Sequence, residues 1–466
     1  MKMKKFLAII VAIMLIVSLV GCAGTSKTSG SDDTYYVYTD NYGFTEGEMS
    51  YLYNYVYNQY ASYLTQLGVD TEKSLKDQEY YDGQSWFDYI MDQSVTYAQD
   101  FLLFCEEADA RGIVLDEADE ANIDTEIAAL ETAAKEAGFD TSDAFLADQF
   151  GEALTLVNYE SFIRKSTLAS KFYNELVGTY EYTEDEVAAY FASNENMFKF
   201  IDYVSYSFAV DEANGITEEM ALADANALKA STNLDDFLAK AETFITAKTS
   251  AEALETLDMD AELGKLAQVN VGYTADDEFS EWAFGSDAKI NTTMLVSDKE
   301  NGIYTVYYLT KLPVRDESKT VDTRHILVTT EKYTTDEATL AKAEEILAEF
   351  KAGDATAEAF AELAKTYSED SGSVSTGGLY ENIGEGDMVT EFNDWIFDAA
   401  RKTGDTGIVK TDYGYHVMFF EKVGLAAWEN QVNAKLKQDA YTKDYEALKV
   451  SHPITIEEEK LLEIEG

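Results

Sequence analysis

Apolar residues recur every three or four positions through the first third of the chain, where Met49, Leu52, Val56, Tyr60, Tyr63 and Leu67 fall on one stripe of a helix. A second helix is predicted from Trp86 to Arg111, stopped by Gly112. Further helical runs follow around Ile123, Ile127 and Leu130, and from about Ala153 to Leu176. Thr183-Glu184-Asp185-Glu186 forms a capping box opening a short helix through Phe191. Towards the C-terminal end short strands alternate with helices. Strands are expected at 323–328, 378–383, 407–411 and 415–422. Between them, Thr334-Thr335-Asp336-Glu337 caps a helix whose apolar face is Leu340, Ala343, Ile346, Leu347 and Phe350, ended by Gly353. A second helix covers Glu358 to Tyr367 and a third Glu391 to Ala400, stopped by Gly404. The sum is an α+β domain, a small antiparallel sheet covered by helices.

Residues 201 to 312 carry a worn copy of that layout. Leu222-Ala223-Asp224-Ala225 parallels Leu340-Ala341-Lys342-Ala343, and Phe279-Ser280-Glu281-Trp282-Ala283-Phe284 parallels Phe392-Asn393-Asp394-Trp395-Ile396-Phe397. Gly302 to Val306 is set against Gly414 to Met418, which puts Tyr304 in the place of His416. The first copy holds no histidine. Pro313 is expected to mark the junction between the copies, because proline is tolerated between strands and not within a central one. After Val423 a helix from Ala426 to Leu448 and the run Ile454-Thr455-Ile456 are expected, with Asp439, Tyr441 and Tyr445 facing the N-terminal helices.

Composition narrows the classes. A chain of 466 residues has room for about three domains. With 46% hydrophobic and 13% aromatic residues it buries real cores, which excludes global disorder despite the charge. The formal net charge is −53, from 35 basic against 88 acidic residues, so nucleic acid and anionic lipid are repelled and protein partners, basic ones above all, remain. Lys2, Lys4 and Lys5 precede an apolar run from Phe6 to Val20, which predicts a secretory signal over 1–21. Leu19-Val20-Gly21-Cys22 resembles the bacterial lipobox, which implies acylation of Cys22 and attachment to a membrane. An ordinary signal peptide with an incidental cysteine is the alternative. Residues 22–34, rich in Ser, Thr and Gly, read as a flexible tether. Beyond Cys22 only Cys105 remains, predicted to be a buried, inert thiol with no disulfide partner.

The histidines carry the candidate chemistry. The chain has three, at 325, 416 and 452, and two of them sit in β-like runs at opposite ends of one segment. Between Thr323-Arg324-His325-Ile326-Leu327-Val328 and Lys410-Thr411-Asp412-Tyr413-Gly414-Tyr415-His416 come Ser368-Glu369-Asp370-Ser371-Gly372, then Gly377-Gly378-Leu379, then Gly386 to Phe392. This order and spacing over 320–423 resemble the parvulin family of peptidyl-prolyl cis/trans isomerases. The resemblance implies a proline-ring pocket of Leu379, Met388 and Phe392 above the paired His325 and His416. Asp370 would stand where family members carry Cys or Asp, and Thr411 would join the same hydrogen-bond network. Prolyl rotation crosses about 18–20 kcal/mol of amide resonance and needs no cofactor and no bond to the protein. The chain departs from the family where Gly-Gly-Asp-Leu-Gly is usual, having Gly377-Gly378-Leu379-Tyr380-Glu381. After the first strand Thr329-Thr330-Glu331-Lys332 offers no basic cluster for a phosphorylated substrate. Plainer readings stand beside these. The histidines could be satisfied core residues, and the Leu, Met and Phe ordinary packing. A two-histidine, one-carboxylate metal site at His325, His416 and Asp370 is a third reading, which nothing in the spacing requires. His452 is expected to cap a turn.

The tyrosine-rich N-terminal region, by position and pattern, resembles the chaperone domain of SurA-like and PrsA-like foldases. The expected layout is therefore a signal peptide over 1–21, a tether over 22–34, a helical chaperone domain over 35–198, a degenerate parvulin-like domain over 199–314, a parvulin domain over 320–423, and a C-terminal helix and tail over 424–466 packing on the N-terminal domain. The resemblance implies a lipid-anchored foldase on the outer face of a bacterial cell membrane, acting on unfolded exported proteins. The alternative is a non-catalytic holdase that uses both parvulin-like domains as scaffolds.

Overall fold

A computed structural model describes residues 35–464. The signal segment, Cys22 and the tether lie outside the described residues. The chain divides into two compact units, one running to Glu181 and resuming at Lys437, the other spanning Tyr182–Leu436.

The N-terminal part of the first unit is built on the helices Glu46–Gln66, Trp86–Arg111, Glu117–Ala137, Ser142–Phe150 and Leu156–Gly178. Each starts where a Thr, Ser or Asp side chain accepts a backbone N–H of the first turn, as at Thr45, Ser85 and Asp116, satisfying donors the helix cannot. Gly112 and Gly138 end two of them in the left-handed conformation. Much of the tyrosine is core: Tyr51 packs edge-on against Phe150, Tyr159 and Phe162. The chain's end returns to this unit. Thr455–Ile456 pairs with the strand Tyr35–Tyr38, Tyr441 meets Tyr173 edge-on at 5.8 Å, and the Tyr445 hydroxyl donates to Asp100. His452 does not cap a turn; its Nε2 lies 3.1 Å from Glu107, a partner 345 residues away that no local pattern announces. Cys105 is buried and donates to the Lys165 carbonyl, and burial pushes its thiol far up. No helix among the described residues is long and apolar enough to cross a membrane.

The second unit holds two four-stranded sheets. The first contains β1 (Phe200–Ala209), β2 (Ala267–Gly272), β3 (Thr293–Asp298) and β4 (Ile303–Val314), with α1 (Glu218–Lys229), α2 (Leu234–Lys248) and α3 (Glu278–Ala283) between them. The second contains β5 (Lys319–Val328), β6 (Leu379–Ile383), β7 (Thr406–Thr411) and β8 (Gly414–Ala426), with α4 (Asp336–Ala352), α5 (Ala357–Tyr367) and α6 (Thr390–Ile396). Both are antiparallel throughout and share one strand order, β2-β1-β4-β3 and β6-β5-β8-β7. In the second sheet, alternation sorts Ile326, Val328, Tyr415, Val417 and Phe419 to the face covered by α4 and α5. Val321, Met418 and Phe420 go to the opposite face with Phe392 and Ile396 of α6.

The structure departs from the sequence expectation at α6, at Pro313 and at Tyr304. Helix α6 ends at Ile396 and not near Ala400. Asp398 accepts from the Ala400 and Arg401 backbone instead, closing a turn. Pro313 lies inside the last turn of pairing of a central strand and not between strands. It is tolerated because the β1–β4 register shifts between Asp202↔Lys311 and Phe200↔Val314, and β3 pairs with β4 only as far as Tyr308. Tyr304 does not take the place of His416. The β3–β4 hairpin closes at Asp298↔Ile303 and the β7–β8 hairpin at Thr411↔Gly414, so the first loop is two residues longer and Tyr304 corresponds to Tyr415. The hydrogen bonds agree: Tyr304 donates to Glu218 at 2.6 Å and Tyr415 to Asp336 at 3.0 Å, each acid being the first residue of the covering helix. A slip of one residue turns every side chain to the other face. The residues matching His325 and His416 are therefore Ser205, opposite Tyr307 as His325 is opposite Met418, and Thr305.

Candidate active site

His325 and His416 stand on the adjacent central strands β5 and β8. Because His325 pairs with Met418 and His416 with Leu327, the two rings are diagonal neighbours on one face. Their Nδ1 atoms lie 3.0 Å apart. Thr411, at the end of β7, places Oγ1 2.9 Å from His416 Nε2 and takes up the Tyr413 N–H. On the other side His325 Nε2 is 2.9 Å from Asp370 Oδ2 and 3.1 Å from Ser373 Oγ. Asp370 sits in the loop after α5, which is pinned to β5 by the Glu369 N–H to the Leu327 carbonyl (2.9 Å) and the Leu327 N–H to Ser368 Oγ (3.2 Å). Beyond it, the His325 N–H donates to the Gly378 carbonyl at 2.9 Å. Gly378 has φ +73, and a Cβ there would stand 2.2 Å from the His325 carbonyl oxygen, so only glycine allows this approach.

One direction of donation satisfies the whole line: Thr411 O–H to His416 Nε2, His416 Nδ1–H to His325 Nδ1, and His325 Nε2–H to Asp370. Ser373 and Tyr380 also donate to Asp370 Oδ2, the latter at 2.9 Å. These contacts hold the Asp370 carboxyl well below the usual carboxylate range, the bond from His325 first and those from Ser373 and Tyr380 after it, against the opposing effect of burial. His416 is lowered as well, which for a base favours the neutral form: burial, then the nearby His325, lowers it to about 4, with Asp370 partly offsetting. Phe392 stands edge-on over both histidine rings, 5.5 Å from His325 and 5.4 Å from His416. Met388, half-buried, packs on the same cluster.

Residues 307–422 match the family described as the PPIC-type PPIase domain. The chain is PrsA-like and SurA-like, with a parvulin-type domain. It is 32% identical over 164 residues to Foldase protein PrsA 1 of Listeria innocua, covering 32% of this chain and 51% of the relative. To Foldase protein PrsA of a Geobacillus species it is 43% identical over 95 residues, 20% of this chain and 29% of the relative. To Chaperone SurA of Pseudomonas putida it is 34% identical over 129 residues, 27% of each chain. The chain thus spans about half the length, or less, of the curated relatives it matches. Among solved structures, a peptidylprolyl isomerase (PrsA) from Bacillus anthracis aligns over 63% of this chain and 91% of its own at 16% identity, with a TM-score of 0.20.

Within the parvulin-type domain, His325, His416, Asp370, Thr411, Met388 and Phe392 come together on one face. Leu379 does not join them. It pairs with Arg324, so it lies on the face opposite His325, while Tyr380 pairs with Thr323 and shares the face of His325. Counted from Gly377-Gly378, the leucine place of the family pattern is Tyr380, and it is this side chain that lies on the histidine face. The Tyr380 ring stacks on His325 at 5.1 Å and 20°, and burial, followed by the bond to Asp370, pushes its hydroxyl up to about 12. Ser373, fully buried, is the other group the sequence did not single out. Its place three residues after Asp370, in the turn that closes on Gly377, was the available signal.

In the first sheet the corresponding face carries no such network. Tyr307 stacks on Phe279 at 3.9 Å and 14°, Tyr203 closes on both, and Thr305 and Ser207 bond to each other at 2.8 Å.

Proposed function

We propose that the parvulin-type domain catalyses cis/trans isomerisation of X-Pro bonds in exported proteins, as part of a membrane-anchored foldase with chaperone activity. The observation that carries this reading is the buried His325–His416 pair lying under the edge of Phe392. As the X-Pro bond twists, amide resonance is lost and the group becomes less polar than its planar form. A pocket of Met388, Phe392 and Tyr380 that excludes water therefore favours the twisted state over the ground state. His416, lowered by burial, favours its neutral form, so the ring beneath Phe392 adds no positive charge to the floor. The line from Thr411 to Asp370 fixes both rings, so no ordering remains to be done when the amide twists.

The assay is direct. The chain from residue 23 onward is expected to accelerate isomerisation of a short prolyl peptide in a protease-coupled measurement. A rate equal to the uncatalysed one would leave the non-catalytic holdase, which Tyr380 favours to the extent that a phenol fills space an aliphatic wall leaves open. Anchoring through Cys22 rests on the lipobox-like Leu19-Val20-Gly21-Cys22. Cys22→Ser is expected to move the protein from the membrane to the soluble fraction, and unchanged membrane retention contradicts the anchor.

A further inference from the structure

The first unit contains a cavity that the isomerase reading leaves unused. It measures about 170 Å³ and lies among the helices Glu46–Gln66, Trp86–Arg111, Glu117–Ala137 and Leu156–Gly178. An apolar cavity of about 150 Å³ holds a benzene ring, so this one has room for a large side chain. Leu52, Phe101, Phe162 and Ile163 form its apolar wall. A neighbouring hollow of about 210 Å³ shares Tyr97, Phe101 and Ser170 with it, so the two lie side by side.

The wall's polar groups are the hydroxyls of Tyr55, Tyr97, Ser166, Thr167 and Ser170 and one charged group, the Glu126 carboxyl. Ser166 and Thr167 both spend their hydroxyl protons on the Ile163 carbonyl, at 2.9 and 2.8 Å, and so present lone pairs. Glu126 accepts from Tyr159 at 3.2 Å and has no cationic partner within ion-pair distance among the described residues. Burial raises its carboxyl above the ordinary value, with the Tyr159 bond opposing. An apolar shaft lined by Tyr rings, with acceptors and a carboxylate at its wall, complements an alkyl stem ending in a donor-rich cation.

We propose that this cavity is a binding site for the lysine side chain of an extended client segment lying across the two adjacent hollows. The inference rests on the reading that the chain holds unfolded clients, and it concerns which side chain the holding unit selects. Nothing in it depends on the isomerase site.

The test uses the chain from residue 23 onward and a fluorescent, proline-free peptide with one central lysine, beside the same peptide carrying acetyl-lysine, which keeps the stem and removes the charge. Wild type is expected to bind the lysine peptide about tenfold more tightly. Glu126→Gln keeps an oxygen for Tyr159 and is expected to reduce the lysine peptide to the affinity of the acetylated one, leaving the latter unchanged. Equal affinity of the two peptides for wild type, or an equal loss of both in Glu126→Gln, overturns the site. Prolyl-peptide turnover measured on the same samples separates this outcome from failure of the foldase reading, since it is expected to be the same in both proteins.

Discussion

At the scale of single residues, the site sets its own pH window. His416 is lowered from 6.5 to about 4 in the fold, so between those values the unfolded chain binds a proton that the folded one does not. The stability it contributes is present above pH 6.5 and is lost as pH falls towards 4, by roughly 3 kcal/mol in all. Asp370 extends the loss, because its carboxylate is stabilised in the fold and that contribution disappears only as pH falls below the ordinary Asp range. Denaturant unfolding of wild type at pH 7, 5.5 and 4.5 is expected to show this slope, and His416→Gln to flatten its upper part. A parallel fall in both proteins assigns the slope to other groups. Leu379 and Tyr380 show what reading by motif misses at this scale. The leucine nearest the glycine pair is Leu379, whereas the strand pairing, invisible without the partner strand, decides which of two neighbours faces the histidines.

At the scale of elements, most of the second sheet was legible. Its strands and its helices α4 and α5 lie within a few residues of where period and capping placed them, because Thr335, Thr356 and Gly353 carry local signals that need no tertiary context. What was not legible was phase. Gly302 and Gly414 look equivalent in sequence, yet a hairpin loop two residues longer moves Tyr304 off the position of His416 and onto that of Tyr415. Loop length is set by turn geometry, and only the ladder reveals it. It follows that Tyr304→Phe and Tyr415→Phe have the same consequence, each freeing a tyrosine–acid bond at the start of a covering helix. Calorimetry is expected to show a lowered Tm for each and an additive loss for the double variant, the two bonds belonging to separate sheets. Prolyl turnover by Tyr304→Phe is expected to stay at the wild-type value. A Tyr304 variant with unaltered Tm contradicts the corrected register.

At the scale of the whole molecule, charge and division of labour are the open properties. Removal of residues 1–21 takes away three lysines and no acid, leaving a net charge of −56. Exposed charge steers encounters over about 8 Å at 0.15 M salt and about 3 Å at 1 M. Suppression of aggregation is therefore expected to be stronger for a basic client than for an acidic one at low salt, the gap closing at about 1 M. Equal protection at low salt leaves the acidity with a role in solubility alone. The division of labour rests on a contrast between two similarly placed phenylalanines. Phe392 stands over two histidines, while Phe279 is stacked under Tyr307 beside Ser205 and Thr305. The measurement that bears most directly on the account is kcat/KM for a short prolyl peptide in Phe392→Ala and Phe279→Ala, each with its fold checked by circular dichroism. Truncating the ring over the histidines is expected to remove about 2 kcal/mol of contact made to the twisted amide, roughly a 30-fold loss, with Phe279→Ala unchanged. Wild-type turnover by a folded Phe392→Ala protein, or an equal loss in both variants, contradicts the assignment of isomerase activity to the His325–His416 pocket.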